Sequence, residues 1–153
     1  MSIRDDLTTA LKESLKSKEQ VAMSTIRLII AAMKDRDIAA RGNGNGEGIT
    51  DAEILSMMQS MMKQRQESSK TYADNGRDDL AERELDEIKV IERFMPQQMG
   101  EAEVSKAIDV IIVETGADSI KDMGKVMNEL KTRYAGQMDM AKVGGVVKGK
   151  LGA

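Results

Sequence analysis

"TDAEILSMMQSMMKQRQESSKTYA", residues 50–73, carries the pattern on which the fold prediction rests. Thr50 and Glu53 form a capping box, because each side chain can satisfy a backbone amide that the first turn of a helix leaves unpaired. After them, apolar residues return every three or four positions, which is the spacing of one helix face. These residues are Ile54, Met58, Met61 and Met62. The stretch therefore predicts a helix that buries one side.

The run MMQSMM, residues 57–62, allows two interpretations. Methionine is flexible and polarisable, so such a run can line an adaptable groove for a partner. It can equally fill a core, and the helical spacing favours core packing.

Three further segments before residue 96 show the same spacing, at residues 2–16, about 18–40 and about 77–95. Their predicted inward residues are Ile3, Leu7, Leu11 and Leu15; Met23, Ile26, Ile30 and Met33; and Leu80, Leu85, Ile88, Ile91 and Met95. The interruption at residues 41–48, RGNGNGEG, predicts a flexible loop. A phosphate cradle is the weaker alternative, because no lysine and hydroxyl residue follow its last glycine as a phosphate loop requires.

Pro96, the one proline of the chain, marks the predicted domain boundary. Proline disfavours helix at the preceding residue and cannot continue one. We predict an N-terminal bundle of about four helices over residues 1–96. A small three-helix module over residues 97–153 follows, with helices at about 101–115, 119–135 and 139–151 and with Gly136 separating the last two. The fold class is all-α.

The composition supports this class and excludes several kinds of chemistry. Apolar residues make up 41% and charged residues 32% of the 153 residues. The chain has no histidine and no cysteine, which excludes Ser-His and Cys-His nucleophile pairs and the usual zinc sites. We expect no cofactor, no metal and no membrane span. The N-terminus resembles neither a signal nor a transit peptide, so we expect a cytoplasmic protein.

Positive charge is concentrated at the C-terminal end. Residues 1–100 hold 15 basic and 18 acidic residues, whereas residues 122–153 hold six basic and three acidic ones. A net charge of +3 is by itself a weak signal for nucleic-acid binding, because many domains carry such a patch. Tyr134 is the only aromatic residue after Phe94, so stacking of bases on several rings is not expected.

Glycines interrupt the last two predicted helices beside lysines. A helical wheel places Ile120, Met123, Met127, Leu130 and Tyr134 on one packing seam, and Met140, Val143, Val147 and Leu151 on another. A glycine inside a helix costs about 1 kcal/mol relative to alanine. Close approach of a neighbouring helix or of an anion would explain such glycines. Gly144, at the seam edge, favours helix contact, whereas both explanations stay open for Gly124 and Gly145.

Several blocks of the sequence resemble the GatB/YqeY family. DMGKVM, residues 122–127, and AGQMDMAKVGGVVKGKL, residues 135–151, resemble the tail domain of the B subunit of glutamine-dependent aspartyl/glutamyl-tRNA amidotransferase. STIRLIIAAMKD, residues 24–35, and the block at residues 63–99 resemble the free-standing YqeY proteins of bacterial type. The similarity covers nearly the whole chain.

The resemblance implies a non-catalytic, tRNA-binding accessory protein. In the amidotransferase the tail domain helps to grip the tRNA elbow, while the catalytic parts lie in regions that have no counterpart here. A family label of carbon–nitrogen ligase with glutamine as amido-N-donor would be inherited from the larger assembly. The resemblance implies that the RNA face of the tail domain corresponds here to Lys121, Gly124, Lys125, Lys131, Lys142 and Gly145, with Lys148 and Lys150 at its periphery.

The sequence departs from the family pattern at several positions. Gln137 stands where the family usually has arginine, which removes a phosphate contact, and Asn128 replaces a frequent second glycine. Gly100 stands where a serine N-cap is usual, and Gly144-Gly145 replaces a polar pair.

Two other functions stay open at this point. The alternative is a protein-interaction adaptor whose helical bundle docks on a synthetase or an amidotransferase-like complex. An amidotransferase that acts alone would release ammonia from glutamine, which we do not expect.

Overall fold

The computed structural model describes residues 2–152 and confirms the all-α fold class, since the described residues contain helices and no strand. The helices are α1 (Ile3–Ser17), α2 (Gln20–Gly42), α3 (Asp51–Asp74), α4 (Asp78–Glu92), α5 (Glu101–Thr115), a 3-10 helix (Ile120–Asp122), α6 (Met123–Arg133) and α7 (Met140–Gly152). The described residues form two compact units that divide between Met95 and Pro96. We call them the N-terminal unit and the tail unit.

The N-terminal unit has a core built from one face of each of its four helices. Its fully buried side chains are Leu7, Ile26, Ile29, Ile54, Met57, Met58 and Ile91. The capping box of Thr50 and Glu53 is present as predicted. Met57 and Met58 are buried, while Met61 and Met62 pack against the core from a partly buried position. Core packing is therefore the correct interpretation of the methionine run.

The α3 and α4 helices form an antiparallel pair joined by a turn at Gly76. Arg65 Nε donates to Glu87 Oε2 at 2.9 Å, and both side chains are largely buried. Ser69 Oγ donates to the carbonyl oxygen of Ala81 at 3.1 Å. These two cross-links lie on successive turns and set the register of the pair.

Two residues predicted to face inward are instead about half exposed. Leu15 is 48% and Leu85 is 46% exposed. Four residues rotate a helix by about 400°, so a strict four-residue repeat from Ile3 drifts by about 120° when it reaches Leu15. The buried residues of α4 are Ala81, Ile88, Val90 and Ile91. The sequence pattern missed Ala81, because alanine gives a weak apolar signal, and it also missed Val90.

A buried carboxylate ties α1, α2 and the loop before α3 together. Asp37 accepts two hydrogen bonds from the Arg4 guanidinium, at 2.8 and 2.7 Å, and one from the Ile49 amide at 2.9 Å. Arg4 also donates to the Ile49 carbonyl oxygen at 2.9 Å. Gly48 adopts φ +84°, and a Cβ there would overlap the Asp37 carboxylate. Only glycine fits this position, so the loop that follows α2 has a fixed end. This loop begins later than the predicted interruption at residues 41–48, because α2 continues through Gly42.

The tail unit packs α5, α6 and α7 around a second core. Its buried side chains are Ile108, Ile111, Val126, Leu130, Met138, Val143, Val147 and Leu151. Gly136 adopts φ +76° between α6 and α7, which confirms it as the separator of these helices. Its carbonyl oxygen accepts a hydrogen bond from Gln98 Nε2 at 2.6 Å, and the Met99 amide donates to the Gln137 carbonyl oxygen at 2.9 Å.

The segment predicted as one helix over residues 119–135 is a 3-10 helix followed by α6. The Asp122 carboxylate accepts a hydrogen bond from the Asp118 amide at 3.1 Å, which holds the chain in a tight turn just before α6 begins. The change of helix type moves Ile120 off the predicted seam, and this residue is 49% exposed. Val126, which the wheel left out, is fully buried.

We predict that Asp37→Asn lowers the free energy of unfolding at neutral pH by about 1–3 kcal/mol. The substitution removes the charge that Arg4 faces in a largely buried pair. Urea denaturation measures the change. Asp35→Asn, at an exposed position of the same helix, is the matched control and should change stability by less than about 0.5 kcal/mol. Equal effects of the two substitutions would contradict the role of the cluster.

We also predict that this contribution is sensitive to acid. Hydrogen bonds from Arg4 and from the Ile49 amide lower the pKa of Asp37 from 3.8 to about 2. A pKa that is lower in the folded than in the unfolded chain means that the ionised carboxylate stabilises the fold, here by roughly 2 kcal/mol. This contribution is complete above pH ~4 and is lost as the pH falls toward ~2. The difference in stability between the wild type and Asp37→Asn should therefore shrink over this interval. A difference that stays constant from neutral pH to pH ~2 would refute the assignment.

Candidate nucleic-acid interface

All eight residues predicted to contact RNA lie in the tail unit. Lys121 belongs to the 3-10 helix. Gly124, Lys125 and Lys131 lie on α6, and Lys142, Gly145, Lys148 and Lys150 lie on α7. All are solvent-exposed except Lys150, which is partly buried. The packing of α6 against α7 determines which of these residues share a surface.

Two glycines of α7 define this register. A Cβ on Gly144 would lie 3.7 Å from Met123 Cε and 4.0 Å from Met127 Cε, and one on Gly152 would lie 3.0 Å from Ile120 Cδ1. The later residue of α7 thus meets the earlier residue of the facing segment, so α7 runs antiparallel to it. Lys148 is midway between the two glycines in sequence and in rotation around α7. It therefore lies beside the segment from Ile120 to Gly124.

Two ion pairs identify the opposite sides of α6 and α7, which face α5. Arg133 on α6 contacts Glu114 at 2.7 Å, and Lys150 on α7 contacts Asp109 at 2.8 Å. Both acidic partners belong to α5. The Lys150 ammonium is therefore engaged within the protein, which distinguishes it from the other predicted lysines.

Helical geometry then separates the remaining residues into two sets. Gly124 and Lys131 are seven residues apart, so they share one row on the α7 side of α6. Lys148 lies on the α6 side of α7, and Gly145 is on its outer surface. We call Lys121, Gly124, Lys131, Gly145 and Lys148 the α6–α7 edge. Lys125 and Lys142 lie on the flanks closer to α5.

The lysines of the α6–α7 edge carry charges that no described side chain neutralises. Among residues 2–152, Lys121, Lys131 and Lys148 take part in none of the ion pairs or side-chain hydrogen bonds. Lys125 differs, because its charge lies close enough to Asp122 to help lower the pKa of that carboxyl. The larger cause of that lowering is the hydrogen bond from the Asp118 amide. The edge is therefore a cationic surface with little internal compensation.

The glycines of the edge are open to solvent rather than compressed by neighbours. A Cβ added to Gly124 or Gly145 would meet no atom within 4 Å. Gly124 lies in the first turn of α6, where its helix-propensity cost is smaller than in a helix interior. Neither glycine is needed for packing, so their backbone is accessible to an external group.

Gly144 faces α6, as its position at the seam edge predicts. The distances of 3.7 and 4.0 Å are ordinary van der Waals separations. The space therefore admits a methyl group, and the contact does not require glycine. Close helix packing does not account for this residue.

Other kinds of site have less support in the described residues. No group of three or more acidic side chains there could hold a metal ion, and none of the described helices is long and apolar enough to cross a membrane. Two open depressions of the N-terminal unit have volumes of about 520 and 410 Å³. The first is lined by side chains of α3 alone, and the second by residues of α2 and α4.

The sequence matches the family described as Yqey-like protein over residues 4–151. This chain belongs to the YqeY family. The match spans nearly all of both units, so membership rests on the sequence of the whole chain and not on the tail motif alone. At the level of the family, it supports an accessory rather than a catalytic role.

The YqeY-family chain is also similar to fungal proteins named altered inheritance of mitochondria protein 41, mitochondrial. It is 25% identical to the protein of Saccharomyces cerevisiae strain YJM789 over 126 residues, covering 78% of this chain and 65% of that protein. With the protein of Lachancea thermotolerans it is 26% identical over 111 residues, covering 71% and 57%. With that of Clavispora lusitaniae it is 29% identical over 94 residues, covering 61% and 52%.

The chain thus spans between half and two thirds of the length of these relatives. Their names place these relatives in mitochondria, while a bacterial origin and a cytoplasmic location stay predictions for this chain.

We predict opposite effects for two alanine substitutions in the tail unit. Gly144→Ala should leave stability unchanged or raise it by up to ~1 kcal/mol, because alanine favours the helix and space is present. Gly136→Ala should lower it by about 1–2 kcal/mol, because an L-residue is strained at positive φ. Thermal or urea denaturation of the full chain measures both. A large loss in Gly144→Ala would mean that close helix packing does require this glycine.

Proposed function

We propose that this YqeY-family protein is a non-catalytic accessory protein that binds tRNA through the α6–α7 edge. One observation carries the proposal: uncompensated lysines and open glycine backbone occur together on two adjacent helix surfaces. The resemblance to the tail domain of the tRNA amidotransferase B subunit supplies the identity of the ligand. Family membership supports the accessory character.

The edge suits a phosphodiester backbone for two physical reasons. Lysine ammonium groups attract phosphates at a distance and release their counterions on contact. A helix surface without a Cβ lets a phosphate or ribose come closer to the backbone than any other residue allows. Neither feature reads base edges, so we expect recognition of RNA shape and backbone more than of sequence. The scarcity of aromatic residues agrees with this mode.

We predict that a Lys121→Ala/Lys148→Ala double variant binds total tRNA about three- to tenfold more weakly than the wild type. The slope of log K against log salt should also become shallower by about 1–2. Titration at several salt concentrations, followed by fluorescence anisotropy, gives both quantities. No binding by the wild type at low salt would refute the proposal.

Lys150→Ala is the matched control, because Lys150 lies two residues from Lys148 on the same helix but pairs with Asp109. It should leave the affinity and the salt slope close to the wild-type values. Gly145→Ala tests the backbone separately, since a methyl group there meets no protein atom within 4 Å. Weaker binding by a fully folded Gly145→Ala variant would support close backbone approach. If Lys150→Ala is as damaging as the double variant, the edge is not the binding surface.

An adaptor role for the N-terminal unit is the second proposal, and one observation favours it. Leu28 and Ile38 on α2 are 49% and 65% exposed. The methionine run gives no support, since Met57 and Met58 are buried. A protein partner, such as a synthetase, captured by the wild type but not by a Leu28→Ser/Ile38→Ser variant that still binds tRNA would favour this role.

A further inference from the structure

Three Asn-Gly pairs occur in the chain: Asn43-Gly44, Asn45-Gly46 and Asn75-Gly76. In such a pair the glycine backbone nitrogen can attack the asparagine Cγ atom. A nitrogen–carbon bond forms, the Cγ–Nδ2 bond breaks, and ammonia leaves with the amide proton. Water then opens the five-membered succinimide at either carbonyl to give aspartate or isoaspartate. Glycine favours the attack because it has no Cβ to shield its nitrogen.

Backbone conformation does not distinguish Asn43 from Asn75. Each is the C-cap of a long helix, with φ −97° and ψ 15° at Asn43 and φ −100° and ψ 14° at Asn75. The glycines that follow have φ +91° and +74°. The Gly44 and Gly76 amides each donate to the carbonyl oxygen three residues earlier at 3.1 Å. The attacking nitrogens are therefore restrained to the same degree.

The side-chain carboxamides of the three asparagines differ in their hydrogen bonds. Asn75 Nδ2 donates to the Thr71 carbonyl oxygen at 2.7 Å. Asn45 is held at both ends, because its Nδ2 donates to the Gly48 carbonyl oxygen at 2.8 Å and its Oδ1 accepts from the Glu47 amide at 3.2 Å. The exposed Asn43 side chain makes no hydrogen bond among the described residues. Of the three carboxamides, only that of Asn43 can rotate toward the backbone nitrogen of the following glycine without breaking a hydrogen bond.

We propose that Asn43 is a site of spontaneous deamidation and isoaspartate formation, and that the fold protects Asn45 and Asn75. The product has two local consequences. A carboxylate at the C-terminus of α2 faces the negative end of the helix dipole. Isoaspartate also inserts an extra main-chain carbon between α2 and Gly48, which abuts the Asp37 carboxylate.

Peptide mapping of the full chain, aged at neutral to mildly alkaline pH, tests the proposal. Fragmentation that separates isoaspartate from aspartate gives a rate for each of the three sites. Asn43 should react at least about fivefold faster than Asn75, which is the ratio that one ordinary net hydrogen bond represents. Asn45, whose carboxamide is held by two hydrogen bonds, should also react more slowly than Asn43.

The same chain aged in denaturing urea is the internal control. There the three rates should agree within about twofold, because the carboxamide hydrogen bonds that separate them are lost. Asn43→Gln, whose longer side chain would need a six-membered ring, should abolish the product at position 43 and leave the other two rates unchanged.

Faster modification of Asn45 or Asn75 than of Asn43 in the folded chain would overturn the proposal. So would an unmodified Asn43 under conditions in which the unfolded chain reacts.

Discussion

Burial of one apolar row on each helix is the constraint from which the rest of the structure follows. In the tail unit, Val126 and Leu130 of α6 and Val143 and Val147 of α7 are buried together. A helix has little more than one face to bury, so fixing these rows fixes which residues reach solvent. The positions of Gly124, Lys131, Gly145 and Lys148 are consequences of this packing. The lysines and glycines of the α6–α7 edge are exposed because burial of the apolar rows turns these positions toward solvent.

The N-terminal unit adds a polar constraint to the same apolar principle. Asp37 lies on α2 within contact of α1 and the end of the loop that follows α2, where an unpaired carboxylate would be costly. Arg4 and the Ile49 amide supply three hydrogen bonds that compensate for burial. Arg4 and Ile49 come from different parts of the chain, so their hydrogen bonds to Asp37 fix the positions of α1 and of the segment before α3 relative to α2. Apolar contacts, which are not directional, leave these positions adjustable. Gly48 is required for the same reason, because a side chain there would occupy the space of the carboxylate.

The glycines show how one residue type serves different physical ends. Gly48 and Gly136 adopt positive φ and terminate or redirect the chain. Gly124 and Gly145 have helical surroundings and free space, so neither strain nor packing explains them. Our proposal that these two glycines face RNA rests on the family resemblance and on their open surroundings. Sequence spacing alone could not separate these cases, because it contains no information on φ or on neighbouring atoms.

Local sequence determined the all-α class, the capping box at Thr50, the turn at Gly136 and the approximate helix bounds. These features depend on interactions within a few residues, which periodicity and turn chemistry report directly. The lysines and glycines of the candidate interface were also visible as a pattern. Tertiary structure alone decided that Lys150 pairs with Asp109 and that Asp37 meets Arg4. Each of these depends on which surfaces of distant helices face one another, and a one-dimensional pattern does not specify that arrangement.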